Sequence, residues 1–302
     1  MNKGILYIVL SGLMFLIVNV FVKSLGAGSD ALLSDLQKYP VHEIVLFRSI
    51  ISLIISYAII KRKKLPVFGV NKKWLIIRGI CGVTALTSFF YTINHLPIAI
   101  AVTVQYLSPV FTVLFTFLFL KEKVSKKQWI FSFIALLGVF IIGISKYLST
   151  NTELSKIEPV WVGLGIFSAL SAGVAYLAII KCKETDSPIN VVIYFPMVAF
   201  PIMLFMCFFE FVVPVGIEWI VLLIIGVFTQ FAQIFMTKAL HYGPAATVMP
   251  FKYLGSVYAL MVGMFIFGEF ISFYAYLGIT VVLIGILGNT MLKKPIKLKR
   301  SR

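Results

Sequence analysis

Ten stretches of about twenty mostly apolar residues follow one another along the chain, at 4–24, 41–60, 74–94, 98–120, 127–145, 160–180, 188–209, 217–239, 244–267 and 272–292. A hydrocarbon core roughly 30 Å thick takes about 20 helical residues per crossing. Lipid offers backbone N–H and C=O groups no partner, so each stretch must be a helix that satisfies its own backbone. The expected fold is all-α and integral to the membrane, with ten transmembrane helices. Composition agrees: 60% of the 302 residues are hydrophobic and 13% are charged, a balance a water-soluble surface would not tolerate. The opening "MNKGILYIVLSGLMFLIVNVFVK" starts basic like a signal peptide. Its apolar run is too long and lacks an A-x-A cleavage pattern, so it reads as a retained first span.

Cytoplasmic connectors collect Lys and Arg. With the N-terminus inside, 19 of the 27 basic residues fall on one side: Lys3, the 61–73 connector, the 121–127 turn, Lys181, Lys183 and the tail from 293. Both termini are therefore expected in the cytoplasm. This inner collar accounts for most of the +16 net charge without a nucleic-acid partner, and it suits the headgroups of the bilayer. Lys23, Arg78 and Lys238 lie near span ends, where long side chains reach back to the interface. Arg48 and Lys252 lie about two turns inside their spans.

The chain repeats itself. Shifted by 147 residues, "LPIAIAVTVQYLSPVFTVLFTFLFLKEKVSKKQWIFSFIALLG" lies without a gap over "GPAATVMPFKYLGSVYALMVGMFIFGEFISFYAYLGITVVLIG". Pro97 matches Pro244, Tyr106 matches Tyr253, Glu122 matches Glu269, Ser125 matches Ser272 and Gly138 matches Gly285. Two five-helix repeats, 1–148 and 149–302, then form one membrane domain. An odd number of spans per unit turns the second upside down, giving inverted repeats. The turn "KEKVSKKQ" is rich in lysine and its counterpart "GEFISFYA" has none, as opposite sides of a membrane would require.

The short Pro-containing link, the Ser-Pro inside the next helix and the L-x-E-x-x-S turn of "RGICGVTALTSFFYTINHLPIAIAVTVQYLSPVFTVLFTFLFLKEKVSKKQW" resemble EamA-type members of the drug/metabolite transporter superfamily. "HEIVLFRSI" and "AQIFMTKALHYGPAATVMPFKYLGSVYALMVGMFIFGE" do so too. The resemblance implies a central substrate cavity among spans one to four and six to nine, with five and ten as an outer scaffold. Inverted halves around one site independently imply alternating access.

A charge at a helix centre costs about 2.5–3.5 kcal/mol on insertion scales, so Lys252 needs a partner or a function. The 147-residue shift sets it opposite Gln105, and Tyr106 and Tyr253 follow the pair. All eleven acids fall in connectors or at span ends, leaving Lys252, assisted by Arg48, open to an anionic group on a substrate. The expected substrate is a small anionic or zwitterionic metabolite. Pro109 and Pro250 would kink their helices and free the carbonyls of Gln105 and Ala246, for use by ligand or water. Asn19, Tyr91, Tyr176, Tyr194 and Gln233 complete the candidate substrate-binding set, and Gln230 lies beside them. Gly165, Ala169 and Gly173 form a stripe suited to close helix approach. Glu122 and Glu269 are expected to cap neighbouring helix starts near Ser125 and Ser272.

The absence of a mid-span acid favours exchange or facilitated diffusion over proton coupling. His42, His95 and His241 fall at span ends, and Cys81, Cys182 and Cys207 show no paired spacing. No cofactor or metal site is expected, and the chain is not read as an enzyme. The alternatives are a multispan enzyme acting on lipid and an exporter of cationic or neutral drug-like compounds. A channel would show a pore ring. The protein is expected to act as a monomer or homodimer. Its Ile- and Lys-rich composition without N-x-S/T acceptors fits a bacterial inner membrane.

Overall fold

The computed structural model describes residues 3–25, 36–96, 98–149, 158–267 and 272–291. Glu269 and the basic tail from 293 lie outside them. The described residues are helical and contain no strand: α1 (Lys3–Leu25), α2 (Val41–Arg62), α3 (Lys72–His95), α4 (Ile98–Gln105), α5 (Ser108–Leu120), α6 (Lys126–Ser149), α7 (Pro159–Lys181), α8 (Pro188–Cys207), α9 (Glu218–Tyr242), α10 (Ala245–Val248), α11 (Leu254–Phe267) and α12 (Phe273–Met291). Among these residues nine helical segments are long and apolar enough to cross a membrane, and Phe273–Asn289 is a shorter tenth.

The fourth and ninth spans are broken. Between α4 and α5 the chain turns at Tyr106 and Leu107, just before Ser108 and Pro109. Between α10 and α11 it tightens into a 3-10 stretch, Met249–Tyr253, that contains Pro250. Proline cannot donate to the carbonyl four residues back. The carbonyl of Ala246, which Pro250 deprives of a donor, is not left for a ligand: it accepts a 2.9 Å hydrogen bond from Nδ2 of Asn289 on α12.

The main packing pairs are α1 with α9, α2 with α8, α3 with α7, and α6 with α12. Glycine permits the closest of these approaches. A β-carbon on Gly138 would press on the backbone of Gly278 and Val282, and one on Gly285 would overlap Ala135. Gly165 faces Thr92 and Val104, and Gly173 faces Phe111, so this stripe seats α7 against α3, α4 and α5.

Carboxylates tie the helix ends together. Glu43 accepts the Val212 N–H at 2.9 Å, Asp186 accepts those of Val70 and Asn71 at 2.5 and 3.0 Å, and Glu218 accepts that of Gln37 at 2.7 Å and the Tyr39 hydroxyl at 2.5 Å. Gly69, at φ 59°, leaves no room for a β-carbon beside the Asp186 carboxylate. Glu122 accepts the Ala245 N–H at 3.1 Å and so caps α10 rather than its own neighbour α6. Ser125 serves α6 instead, in a reciprocal box with Gln128 at 2.9 and 3.2 Å.

Two outcomes follow. Asn289→Leu leaves the buried Ala246 carbonyl unpaired and is expected to cost about 1–3 kcal/mol of unfolding free energy, read in detergent. Burial raises the Glu122 carboxyl above its ordinary 4.5, outweighing the Ala245 N–H it accepts and the charge of Lys183. The folded state then holds this proton more tightly, so its contribution to stability is full below the ordinary value and is lost as pH rises through the raised one. Glu122→Gln is expected to flatten that part of a thermal-stability profile against pH.

Candidate functional site

Two arginines meet over one aromatic ring inside the bundle, and a lysine is held by its own partners. Arg48 on α2 lies seven residues from one end of its span, and Phe195 on α8 lies seven from the other end of its own. Their meeting, with the guanidinium 5.2 Å from the ring centroid, therefore straddles the middle of the bundle. Arg78 on α3 sits over the same ring at 5.6 Å, and the two guanidinium groups repel one another. Arg78 is 3% exposed. Its Nη2 donates to Oε1 of Gln233 on α9 at 3.0 Å, while its Nε is buried without a partner. The residue that sequence position alone assigned to the interface is thus an interior charge, because its side of α3 faces α8 and α9.

Lys252 lies in the 3-10 stretch of the ninth span. Its Nζ donates to Oγ of Ser108, at the break in the fourth span, and to the hydroxyl of Tyr176 on α7, each at 3.0 Å. It also sits 4.6 Å from the Tyr176 ring centroid. Tyr176 feels the charges of both Lys252 and Arg78, which links the lysine to the arginine pair. Gln105 accepts from Oγ of Ser168 at 2.9 Å, and the same hydroxyl contacts the Ala85 carbonyl at 2.6 Å. No carboxylate is among the groups that hold these cations in the described residues.

Other candidates lie elsewhere. Tyr106 and Tyr253 approach each other with ring centroids 6.0 Å apart. Tyr253 is fully buried in the apolar cluster against α6 and α12, and its hydroxyl is unpartnered. Pro109 and Pro250 line one small gap with Trp129 and Tyr253. The Tyr194 hydroxyl donates to the Phe68 carbonyl at 2.7 Å, holding the α2–α3 loop. Gln230 donates to Ser56 at 2.7 Å. Tyr91 is 46% exposed, and Asn19 is exposed on α1. Sequence reasoning missed Arg78, Phe195 and Ser108. Ser108 carried a signal in its Ser-Pro break, while Phe195 could be found only from the pairing of α2 with α8.

A bundle of membrane-length helices, with two broken spans and interior cations facing neutral acceptors, defines a polytopic membrane protein with a polar interior. The profile of the EamA-like transporter family matches residues 2–144 and 159–291, and the chain belongs to that family. It is 30% identical over 260 residues to the pseudopaline exporter CntI of Pseudomonas aeruginosa, covering 85% of each chain. It is 27% identical to human solute carrier family 35 member G1, over 85% of this chain and 70% of that one. It is 24% identical to the riboflavin transporter of Vibrio cholerae, over 94% and 91%. A solved crystal structure superposes with a TM-score of 0.77 over 96% of both chains at 17% identity, a likeness of fold. The protein is an integral, multi-pass membrane protein and a transporter of small molecules.

Gln233→Leu removes the amide that faces a buried guanidinium and is expected to lower unfolding stability by about 1.5–3 kcal/mol. The double variant with Arg78→Met is expected to lose less than the sum of the single changes, read by unfolding in detergent; strict additivity would show the two residues to be uncoupled.

Proposed function

We propose that this transporter carries a small anionic or zwitterionic metabolite, bearing a carboxylate or phosphate, by alternating access between two inverted five-helix repeats. The observation that carries the substrate class is the cluster of Arg48, Arg78 and Lys252, held by an amide, hydroxyls and rings without an acid. Neutral acceptors and ring faces only partly offset the cost of charge in lipid. An anion entering the cluster supplies what the chain withholds, whereas a cation would add to the repulsion already present.

The mechanism draws support from internal reciprocity. At the 147-residue shift, α2 and α8 begin at 41 and 188, α3 and α9 end at 95 and 242, α4 and α10 begin at 98 and 245, α5 and α11 end at 120 and 267, and α6 and α12 begin at 126 and 273. Gly69 and Gly216, equivalent by the same shift, have φ of 59° and 55°. Contacts come in exchanged pairs: Gly138 meets Val282, and their equivalents Gly285 and Ala135 meet each other. Arg48 faces its own equivalent Phe195, and Tyr106 faces Tyr253. A two-fold relation produces such reciprocity and a translation does not. With five spans per unit that axis lies in the membrane plane, and each packing has a mate to exchange with as the halves rock. The basic connectors favour cytoplasmic termini, and a bacterial inner membrane is the setting that fits the composition. With no acid in the cluster, exchange or facilitated diffusion is the preferred energetic scheme.

Thermal unfolding in detergent against carboxylates, phosphorylated metabolites, amino acids and organic cations tests the reading, because a ligand that prefers the folded state must raise its stability. Anions or zwitterions are expected to stabilise the wild type, with the shift lost in Lys252→Gln. Stabilisation by cations alone, undiminished in that variant, would overturn the substrate class.

A further inference from the structure

A second cationic site lies on the outside of the bundle. At the end that carries the 61–73 connector, α2, the start of α8 and α9 enclose a cleft of about 520 Å³. Its polar rim holds Arg62, Lys63 and Lys238, and its walls are apolar, with Ile59, Phe231 and Phe235 among them. Among the described residues no carboxylate lines it. The nearby Asp186 is already committed to the N–H groups of Val70 and Asn71 and to the Thr185 hydroxyl. Lys238 stands one turn inside the end of α9, its ammonium 5.3 Å from the Tyr7 ring and 5.9 Å from that of Phe235. From one turn inside a span end a lysine side chain reaches the membrane interface. Below it on the same face of α9, Phe235 and Phe231 stack 6.4 Å apart, and Phe231 is 43% exposed.

We propose that this cleft binds an anionic phospholipid, with its phosphate held by Arg62, Lys63 and Lys238 and an acyl chain laid along Phe235 and Phe231. Charge complementarity selects the headgroup: three cations without a counter-ion at the interface attract a negative lipid and give a zwitterionic one no net advantage. The aromatic column selects a lipid over a free phosphate, because apolar surface beside the cations rewards a ligand with a hydrocarbon tail. The site is separate from the interior cluster and bridges the α2–α9 seam that also holds the Gln230–Ser56 pair. A lipid seated there would fasten together helices from both halves of the chain.

Thermal unfolding of the full-length protein in detergent, with phosphatidylglycerol, phosphatidylcholine or inorganic phosphate added, tests this. Phosphatidylglycerol is expected to raise the midpoint by several degrees, with the shift shrinking at high salt. Arg62→Gln/Lys238→Gln is expected to lose that shift and Phe231→Ala to weaken it. Lys126→Gln/Lys127→Gln, which removes the same charge elsewhere on the basic collar, is expected to keep it. Equal stabilisation by phosphatidylcholine, or an undiminished shift in Arg62→Gln/Lys238→Gln, would overturn the proposal. A shift reproduced by inorganic phosphate alone would overturn its lipid part. Native mass spectrometry of the wild type, expected to retain phosphatidylglycerol over phosphatidylcholine, gives a reading that needs no variant.

Discussion

The hydrocarbon core contains no water, and each backbone polar group placed there must find its partner in the protein. Intact helices meet that condition by themselves; the fourth and ninth spans do not. Where Pro250 leaves the Ala246 carbonyl without a donor, Asn289 reaches across from α12 to supply one. In α5, which starts at the equivalent break, Thr112 and Thr116 turn their hydroxyls back onto the Ser108 and Val113 carbonyls at 2.7 and 2.9 Å. Asn289 thus repairs the irregular backbone that carries Lys252.

The same condition sorts the charges. The described acids that make long-range contacts stand at helix ends and accept backbone N–H groups: Glu43, Glu122, Asp186 and Glu218. The interior cations instead meet an amide, two hydroxyls and the faces of Phe195 and Tyr176. Pairing an interior arginine with one of these acids would neutralise the polar core and release the loops at once. Keeping acids outside and cations inside separates the work of holding the ends from that of tuning the interior.

Much of this was legible in the sequence. Apolar length gave the spans, the two prolines marked where spans break, and the depth of Lys252 singled it out. Partnership was not legible. Arg78 stands six residues into α3, and only the packing of that helix on α8 decides whether the guanidinium reaches the interface or Gln233. The sequence marks Glu122 as a cap, but its recipient, Ala245, lies 123 residues away. Tyr91, Tyr194 and Asn19 shared the polarity of the clustered residues, yet Tyr194 is spent on a loop carbonyl and Tyr91 and Asn19 are exposed. Rotation and partner choice are tertiary properties, which a single chain's pattern constrains weakly.

The main helix pairs join the first half of the chain to the second: α1 to α9, α2 to α8, α3 to α7 and α6 to α12. During synthesis, the first five spans therefore enter the bilayer before most of their neighbours exist. Arg78 waits for Gln233, 155 residues further along, which at ordinary translation speeds is roughly 8–30 s. Over that interval a guanidinium destined for the centre of the bundle has neither its amide nor the Phe195 ring. The nascent half must lean on the membrane interface, the insertion machinery or its own helices until the later spans arrive.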